Sequence, residues 1–418
     1  MAVHAAGFRH LLLNEFAAKA CETLLANQAV PWKGEAHIPE QRGEKWPLKD
    51  GPVQKLDFTY LHDQVTLLAG GPPCQPFSLG GEHKGHEDDR NMFPQFFKAL
   101  RQTQPKAFIC ENVRGLLRPS FRPYFEYILD ELRMPFVERG STDWEEHSRA
   151  LARERSIEPT TRKGRKQRYV VFPTPVNAAD YGVPQVRQRV IIVGFRMDLE
   201  IDDELWNEKF KPKKTHSEAA LLHQLGDLRS AYWKRHKSVP KEVKQGVAGS
   251  VPTVDENDKD LTLLPWRTLR DAIIGDPERG EGPLPQTGLI DYEEHPKSPA
   301  SHHVGWPGAR IYQGHTPNLL DRPAKTVKAG VHGVPGGESV MLLDDGTHRY
   351  MTVRETARVM TFPDTWKPGE NVRRGEQMRQ LGNAVPVQLG QRFAEAVAEA
   401  LRYASERESG SFGGNDDV

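Results

Sequence analysis

The stretch that most limits what this chain can become is Leu67 to Ser78, LLAGGPPCQPFS. A short apolar run, Val65 to Ala69, reads as a strand that stops at Gly70-Gly71 and opens into a loop whose prolines 72, 73 and 76 bracket one cysteine, Cys74. Proline fixes its own φ and restricts the residue before it, so the thiol is held without the ordering entropy of a flexible loop. The glycines let a substrate approach the backbone closely. A lone cysteine is more often a small buried hydrophobe. Two glycines, three prolines and a hydroxyl are poor core material, however, so Cys74 reads as a mounted nucleophile.

The flanking chain alternates strand and helix. Met1 to Phe8 reads as the end of a helix, Arg9 to Leu13 as a short strand closing on Asn14-Glu15, and Ala17 to Asn27 as a helix. Lys55 to Phe58 reads as the end of another strand-like piece that closes on an acid. Asp88 to Gln104 predicts an amphipathic helix with its entry loop, and Lys106 to Cys110 a buried strand ending in Glu111-Asn112-Val113. This rhythm implies an α/β fold built on a doubly wound, Rossmann-like sheet. Adjacent parallel strands end on one edge, which brings Glu111 beside the cysteine loop; a strand-end carboxylate is otherwise more often a solvated loop residue. Tyr169 to Asn177 and Val190 to Phe195 read as two further strands, preceded in the second case by Arg187 and Arg189. Arginines two apart point to one face; pairing with surface acids would explain them equally.

Ser141 to Arg168 is a polar insertion, open between a solvated loop and a phosphate-contacting one. From 198 to about 321 the rhythm is lost, basic residues gather, and Trp206, Tyr232 and Trp233 are interleaved with them. Thr352 to Phe362 reads as an amphipathic helix with Thr352 as N-cap and Glu355 three residues on. Gly382-Asn383 before Pro386 can be no more than a helix start, leading into Val387 to Ala404, and the polar tail from Ser405 is expected to be disordered. No run of eighteen apolar residues occurs, so no membrane span is expected. The three cysteines have no zinc-like spacing, so no metal is expected, and their scarcity fits a reducing compartment. With 57 basic and 57 acidic residues, contact with a polyanion must rest on local segregation of charge.

Four strings, in this order, resemble those of the DNA cytosine-5 methyltransferases: Pro73-Cys74-Gln75 after its glycines, Glu111-Asn112-Val113, Gln185-x-Arg187-x-Arg189, and Gly382-Asn383-Ala384-Val385-Pro386. Arg322 to Val327 also matches a family pattern that packs the recognition domain on the catalytic one. The resemblance implies an S-adenosyl-L-methionine-dependent catalytic domain over 1–197 with an insertion at 141–168. A smaller target-recognition domain over 198–330, a segment 331–404 returning to the catalytic domain, and a tail 405–418 would follow. Family chains open with a strand and a Phe-x-Gly-x-Gly-Gly turn against the methionine part of the cofactor. Here Met1 stands where the following helix should be ending, so the first strand is expected to be absent through a misplaced start or truncation; a chain defective in cofactor binding is the alternative.

The resemblance also implies roles. Cys74 would attack the base, Glu111 would be the acid at N3, Arg189 would hold the O2 side, and Arg187 would orient Glu111 or a phosphate. For the cofactor, Glu15 would bind the ribose hydroxyls, Phe16 stack on the adenine and Asp57 take its amino group. Phe58, Met92 and Pro72 would line the site, and Asn383 with Val385 would close over it. Gln75, Ser78, Gln185, Arg322 and Thr326 would contact DNA. The implied partner is double-stranded DNA carrying a flipped cytosine, with a cognate restriction or defence system, for a monomer in a bacterial or archaeal cytosol at the nucleoid. One rival is a catalytically impaired DNA-binding relative acting as a subunit. The other is an RNA methyltransferase, whose tRNA members carry Cys-Phe-Thr; that signature is absent here, the closest string being Met360-Thr361-Phe362, which counts against this rival.

Overall fold

The structure is a computed structural model of the chain. It describes residues 1–35, 38–73, 91–140, 143–275, 280–284, 316–329 and 339–411, with positions 303, 305, 309 and 313. The chain opens with α1 (Ala2–Ala5), β1 (Leu13–Glu15), α2 (Ala18–Leu25), β2 (Ala29–Pro31) and β3 (Trp46–Asp50). The three strands form a parallel sheet of order β1-β3-β2, with Glu15 in register with Asp50. The strand expected at Lys55 to Phe58 is absent: that stretch lies between two 3-10 turns, Val53–Lys55 and Thr59–Leu61. The acid-tipped strand is β3 instead, and Pro47 inside it hid it, because proline argues against a sheet interior.

A second sheet holds the centre. It contains β4 (Leu67–Gly70), β5 (Ala107–Val113), β6 (Tyr169–Asn177) and β7 (Gln188–Arg196) in the order β4-β5-β7-β6. β4 runs parallel to β5, and β7 is antiparallel to both its neighbours. Between β4 and β5 comes α3 (Phe93–Thr103); after β5 come α4 (Arg122–Arg133), α5 (Trp144–Arg155) and α6 (Arg162–Lys166). Phe93, Phe97, Leu100, Ile128 and Leu132 pack with Phe108 and Ile192 on one face. Ala107, Ile191, Val193 and Phe195 pack with Phe393 and Val397 on the other. Burial on both faces is why β7 reads as the unbroken run VIIVGF. Gly194 belongs there because a Cβ would come within 2.1 Å of the Phe108 ring.

The polar insertion is not a solvated loop. Leu151 of α5 is fully buried, and His147 sits 2.9 Å from Glu131 of α4 inside the core. The packing of the central sheet does not stop at residue 197. α7 (Asp203–Leu205) runs into a π turn, Trp206–Phe210, and Trp206 stacks on Phe172 in the sheet's own core. The next unit contains β8 (His216–Ser217), α8 (Glu218–Gly226), α9 (Ala231–Arg235), α10 (Lys241–Ser250), β9 (Leu264–Pro265) and α11 (Leu269–Ile274). Its small core is Leu221, Leu225, Tyr232, Trp233 and Val239, so the interleaved aromatics are packing residues, closed to stacking on bases.

β10 (Asn318–Leu319), β11 (Val340–Leu342) and β12 (His348–Tyr350) form a third sheet. α12 (Val353–Val359) follows with the expected capping box between Thr352 and Glu355, yet all seven of its residues are buried, so it is not amphipathic. Its charges are paired inward: Arg349 donates to Glu355 at 2.5 and 2.8 Å, and Arg358 to Asp364 at 2.5 and 2.9 Å. α13 (Arg374–Asn383) and α14 (Val387–Ser411) close the described chain; α14 carries Ser405 to Ser411, which were expected to be disordered. No described helix is long and apolar enough to cross a membrane.

Candidate active site

Parallel pairing of β4 with β5 sets Gly70 against Cys110, and so Gly71 against Glu111. A Cβ on Gly71 would lie 3.3 Å from Glu111 Oε2. Asn112 Nδ2 donates to the Pro72 carbonyl at 3.0 Å, and the Met92 amide donates to the Pro73 carbonyl at 3.1 Å. Of the last three described residues before Cys74, Gly71 lies against the Glu111 carboxylate, Pro72 is held by Asn112 of β5 and Pro73 by the Met92 amide. Cys74, Gln75 and Ser78 themselves lie outside the described residues.

Glu111 is inside β5, which runs on to Val113, and not beyond the strand's end as expected. Register across to β7 pairs Val113 with Arg189, and Arg189 Nε stands 2.7 Å from Glu111 Oε1. Both side chains are largely buried, at 13 % and 15 % exposure. Burial pushes the Glu111 carboxyl above its ordinary pKa, and it does so against the opposing pull of Arg189 and Arg187. The group therefore keeps its proton more readily than a surface carboxylate. Burial also lowers both guanidinium pKa values, to about 9 for Arg187, which stays charged at neutral pH.

The Gln-x-Arg-x-Arg string divides its labour differently from the expectation. Arg187 neither pairs with Glu111 nor reaches a phosphate: it is 1 % exposed and donates to the carbonyls of Val327 (2.8 Å), Gly382 (2.8 Å) and Ala384 (3.1 Å). Gln185, expected to contact DNA, is fully buried here, with Oε1 accepting from the Val327 amide at 3.1 Å. The Thr326 hydroxyl is spent on the Val186 carbonyl at 2.7 Å. Arg322 keeps partial exposure, 3.5 Å from Glu218. The sequence reading also missed Asp180, which receives the Trp266 indole at 3.0 Å and Lys214 at 3.1 Å and so ties the unit from β8 to α11 onto the sheet. Its place just after β6, next to Tyr181-Gly182, was the one signal for it.

Glu15, at the tip of β1, takes the Phe16 and Ala17 amides on Oε1, both at 2.8 Å. The Phe16 ring is 76 % exposed. An open aromatic face beside a strand-end carboxylate suits an adenosine. Asp57 is exposed and accepts from the Thr59 amide, the Thr59 hydroxyl and Gln102, and the Thr59 donors hold its carboxyl below the usual range. Phe58 is buried, Met92 is half-buried with its sulfur 3.5 Å from Gln54 Nε2, Asn383 is exposed at the end of α13, and Val385 is half-buried.

The model of the C-5 cytosine-specific DNA methylases matches residues 1–134 and 153–399. The Type II methyltransferase M.PspPI of Psychrobacter sp. (strain TA137) is 27 % identical over 410 residues, covering 96 % of this chain and 76 % of its own. M.Eco47II of Escherichia coli is 28 % identical over 409 residues, with the same two coverages. Among solved structures, a DNA modification methyltransferase encoded within a prophage (E. coli) shares the fold, with a TM-score of 0.52 at 18 % identity over 96 % of this chain and 95 % of that one. Because the family match runs through the N-terminal parallel sheet, the central mixed sheet and all four strings, this chain belongs to the C-5 cytosine-specific DNA methylase family.

Proposed function

We propose that the chain methylates C5 of a cytosine flipped out of double-stranded DNA, with Cys74 as nucleophile and Glu111 as acid. Carbon 5 of cytosine is a poor nucleophile until the ring's conjugation is broken. Addition of the Cys74 thiolate to C6 breaks it, and the charge this drives onto N3 is met by the Glu111 proton. S-adenosyl-L-methionine, when bound, supplies the electrophilic methyl group. C5 would take that methyl group, with the cofactor released as its thioether. The C5 proton then passes to a base, the freed electron pair expels the Cys74 thiolate, and N3 returns its proton to Glu111, leaving the ring restored with hydrogen replaced by methyl. Glu15, Phe16 and Asp57 would hold the adenosine half, with Phe58, Met92 and Pro72 as walls and Asn383 and Val385 at the closing turn. Arg189 holds Glu111 in place and faces the base with it. Arg187 and Gln185 act at one remove, by fastening the segments that return to this edge.

The observation that carries this reading is the carboxyl with a raised pKa pressed against the entrance of the Cys74 loop. An ordinary surface carboxylate would be ionised near neutrality and could not protonate N3. Relatives named as Type II methyltransferases favour a restriction-modification role for this chain beside a cognate endonuclease, acting on DNA in the cytosol. The test is methyl transfer from labelled S-adenosyl-L-methionine to duplex DNA, followed by mapping of the modified bases. We expect label at C5 of cytosine within a short recognition sequence. Glu111→Gln should lower turnover by about 10²–10⁴-fold while leaving DNA affinity nearly unchanged; equal losses in both would make Glu111 a binding residue instead.

A further inference from the structure

Several of the cations gathered in the polar insertion and in the unit after it are paired with acids in the fold. In the insertion Arg162 pairs with Glu408, Arg165 lies 3.6 Å from Glu200, and Arg168 lies 2.5 Å from Glu154. In the following unit Lys214 pairs with Asp180 and Arg235 with Asp271. A different segment does not follow this pattern. Directly after β5 come two 3-10 turns, Arg114–Leu117 and Pro119–Phe121, leading into α4 at Arg122. Arg114, Arg118 and Arg122 recur there every fourth residue, Arg114 and Arg122 exposed and Arg118 half-buried. Among the described residues none of the three has an acidic partner. Glu126, the nearest acid along the chain, pairs with none of them.

The backbone beneath them is rigid. Leu116 is fully buried, and Leu117 and Phe121 pack against the core of the sheet. The segment also adjoins the site: Val113 is in register with Arg189, and Arg114 donates to the Gln188 side chain at 2.9 Å. Three guanidinium groups with no acidic partner among the described residues, on a core-packed segment that begins where the strand carrying Glu111 ends, in a chain with no net charge, call for an extended anion.

We infer that Arg114, Arg118 and Arg122 form a rail for the phosphodiester backbone of the DNA that flanks the flipped base. This rests on the proposed reaction for the identity of the polyanion. The rail contributes position and affinity and carries no sequence information, which falls to groups that reach base edges. The test is titration of a fluorescent duplex by anisotropy over a series of salt concentrations, using Arg→Gln variants whose melting temperatures match that of the parent. Each phosphate contact contributes about 0.9 to the slope of log affinity against log salt. Each single variant should therefore flatten the slope by about 0.9, and the triple variant by about 2.7. The loss should be equal for duplexes of different sequence, and Arg165→Gln should leave the slope unchanged. An unchanged slope in the folded triple variant overturns the rail, as does a loss confined to one DNA sequence. If the parent methylates cytosine but its slope ignores these arginines, the rail alone falls. If DNA binding depends on them but no methyl reaches C5, the proposed reaction falls and the rail stands.

Discussion

At the scale of single residues, the site turns on how much charge is buried behind one carboxyl. Glu111 holds its proton more tightly in the folded chain than an unfolded one would, because burial outweighs its two arginines. Between the ordinary carboxylate pKa and this raised value, the folded state binds more protons than the unfolded state. Stability from this group is therefore lost as pH rises through that window. We expect the melting temperature of the parent, relative to Glu111→Gln, to decline as pH rises above the ordinary carboxylate range; a relative rise would mean that Arg189 dominates and the carboxyl is ionised at rest. Arg187 is a buried guanidinium whose Nη1 and Nη2 donate to three backbone carbonyls, while its Nε finds no acceptor among the described residues. Arg187→Met should cost roughly 3–5 kcal/mol, read as a lower urea midpoint, and an unchanged midpoint would show the clamp to be idle. The nearness of the arginine strand to Glu111 was legible, but the sequence reading gave the orienting of Glu111 to Arg187, whereas Arg189 is the arginine that stands 2.7 Å from it. The burial of Arg187 and Gln185 was not legible, since their partners come from Val327, Gly382 and Ala384, far along the chain.

At the scale of elements, the sequence reading succeeded wherever one period ran unbroken and failed where tertiary contacts overrode it. β5 and β7 stood out as unbroken apolar runs, β6 by near alternation and the helix over Phe93–Thr103 by helical spacing, each in keeping with its burial. β3 was missed because of Pro47, and α5 because its polar exterior hides a buried stripe of His147 and Leu151. Two substitutions test the packing account. Gly194→Ala places a methyl group inside the Phe108 ring's volume and should cost about 1–3 kcal/mol. Thr352→Ala removes the cap of α12 and should cost about 1–2 kcal/mol. Thermal or chemical unfolding measures both; a neutral Gly194→Ala would mean that Phe108 has room to turn away.

At the scale of the whole molecule, segments far apart in the chain return to one edge. α1 packs on α14, Thr326 on Val186, and Pro72 on Asn112. The effect is to place an acid, its arginine and the approach to a thiol within one neighbourhood, around a base that must leave the DNA stack to be reached. The order of the four strings made this convergence readable in advance, whereas the helical insertion and the extra catalytic core through Phe210 emerged only from packing. Covalent capture of DNA tests the convergence most directly. A duplex carrying 5-fluorocytosine at the methylated position, incubated with S-adenosyl-L-methionine, should yield a protein–DNA species that survives denaturation, because fluorine cannot leave as the proton does. We expect this species with the parent chain and none with Cys74→Ser; a Cys74→Ser chain that still captures the duplex would contradict the account.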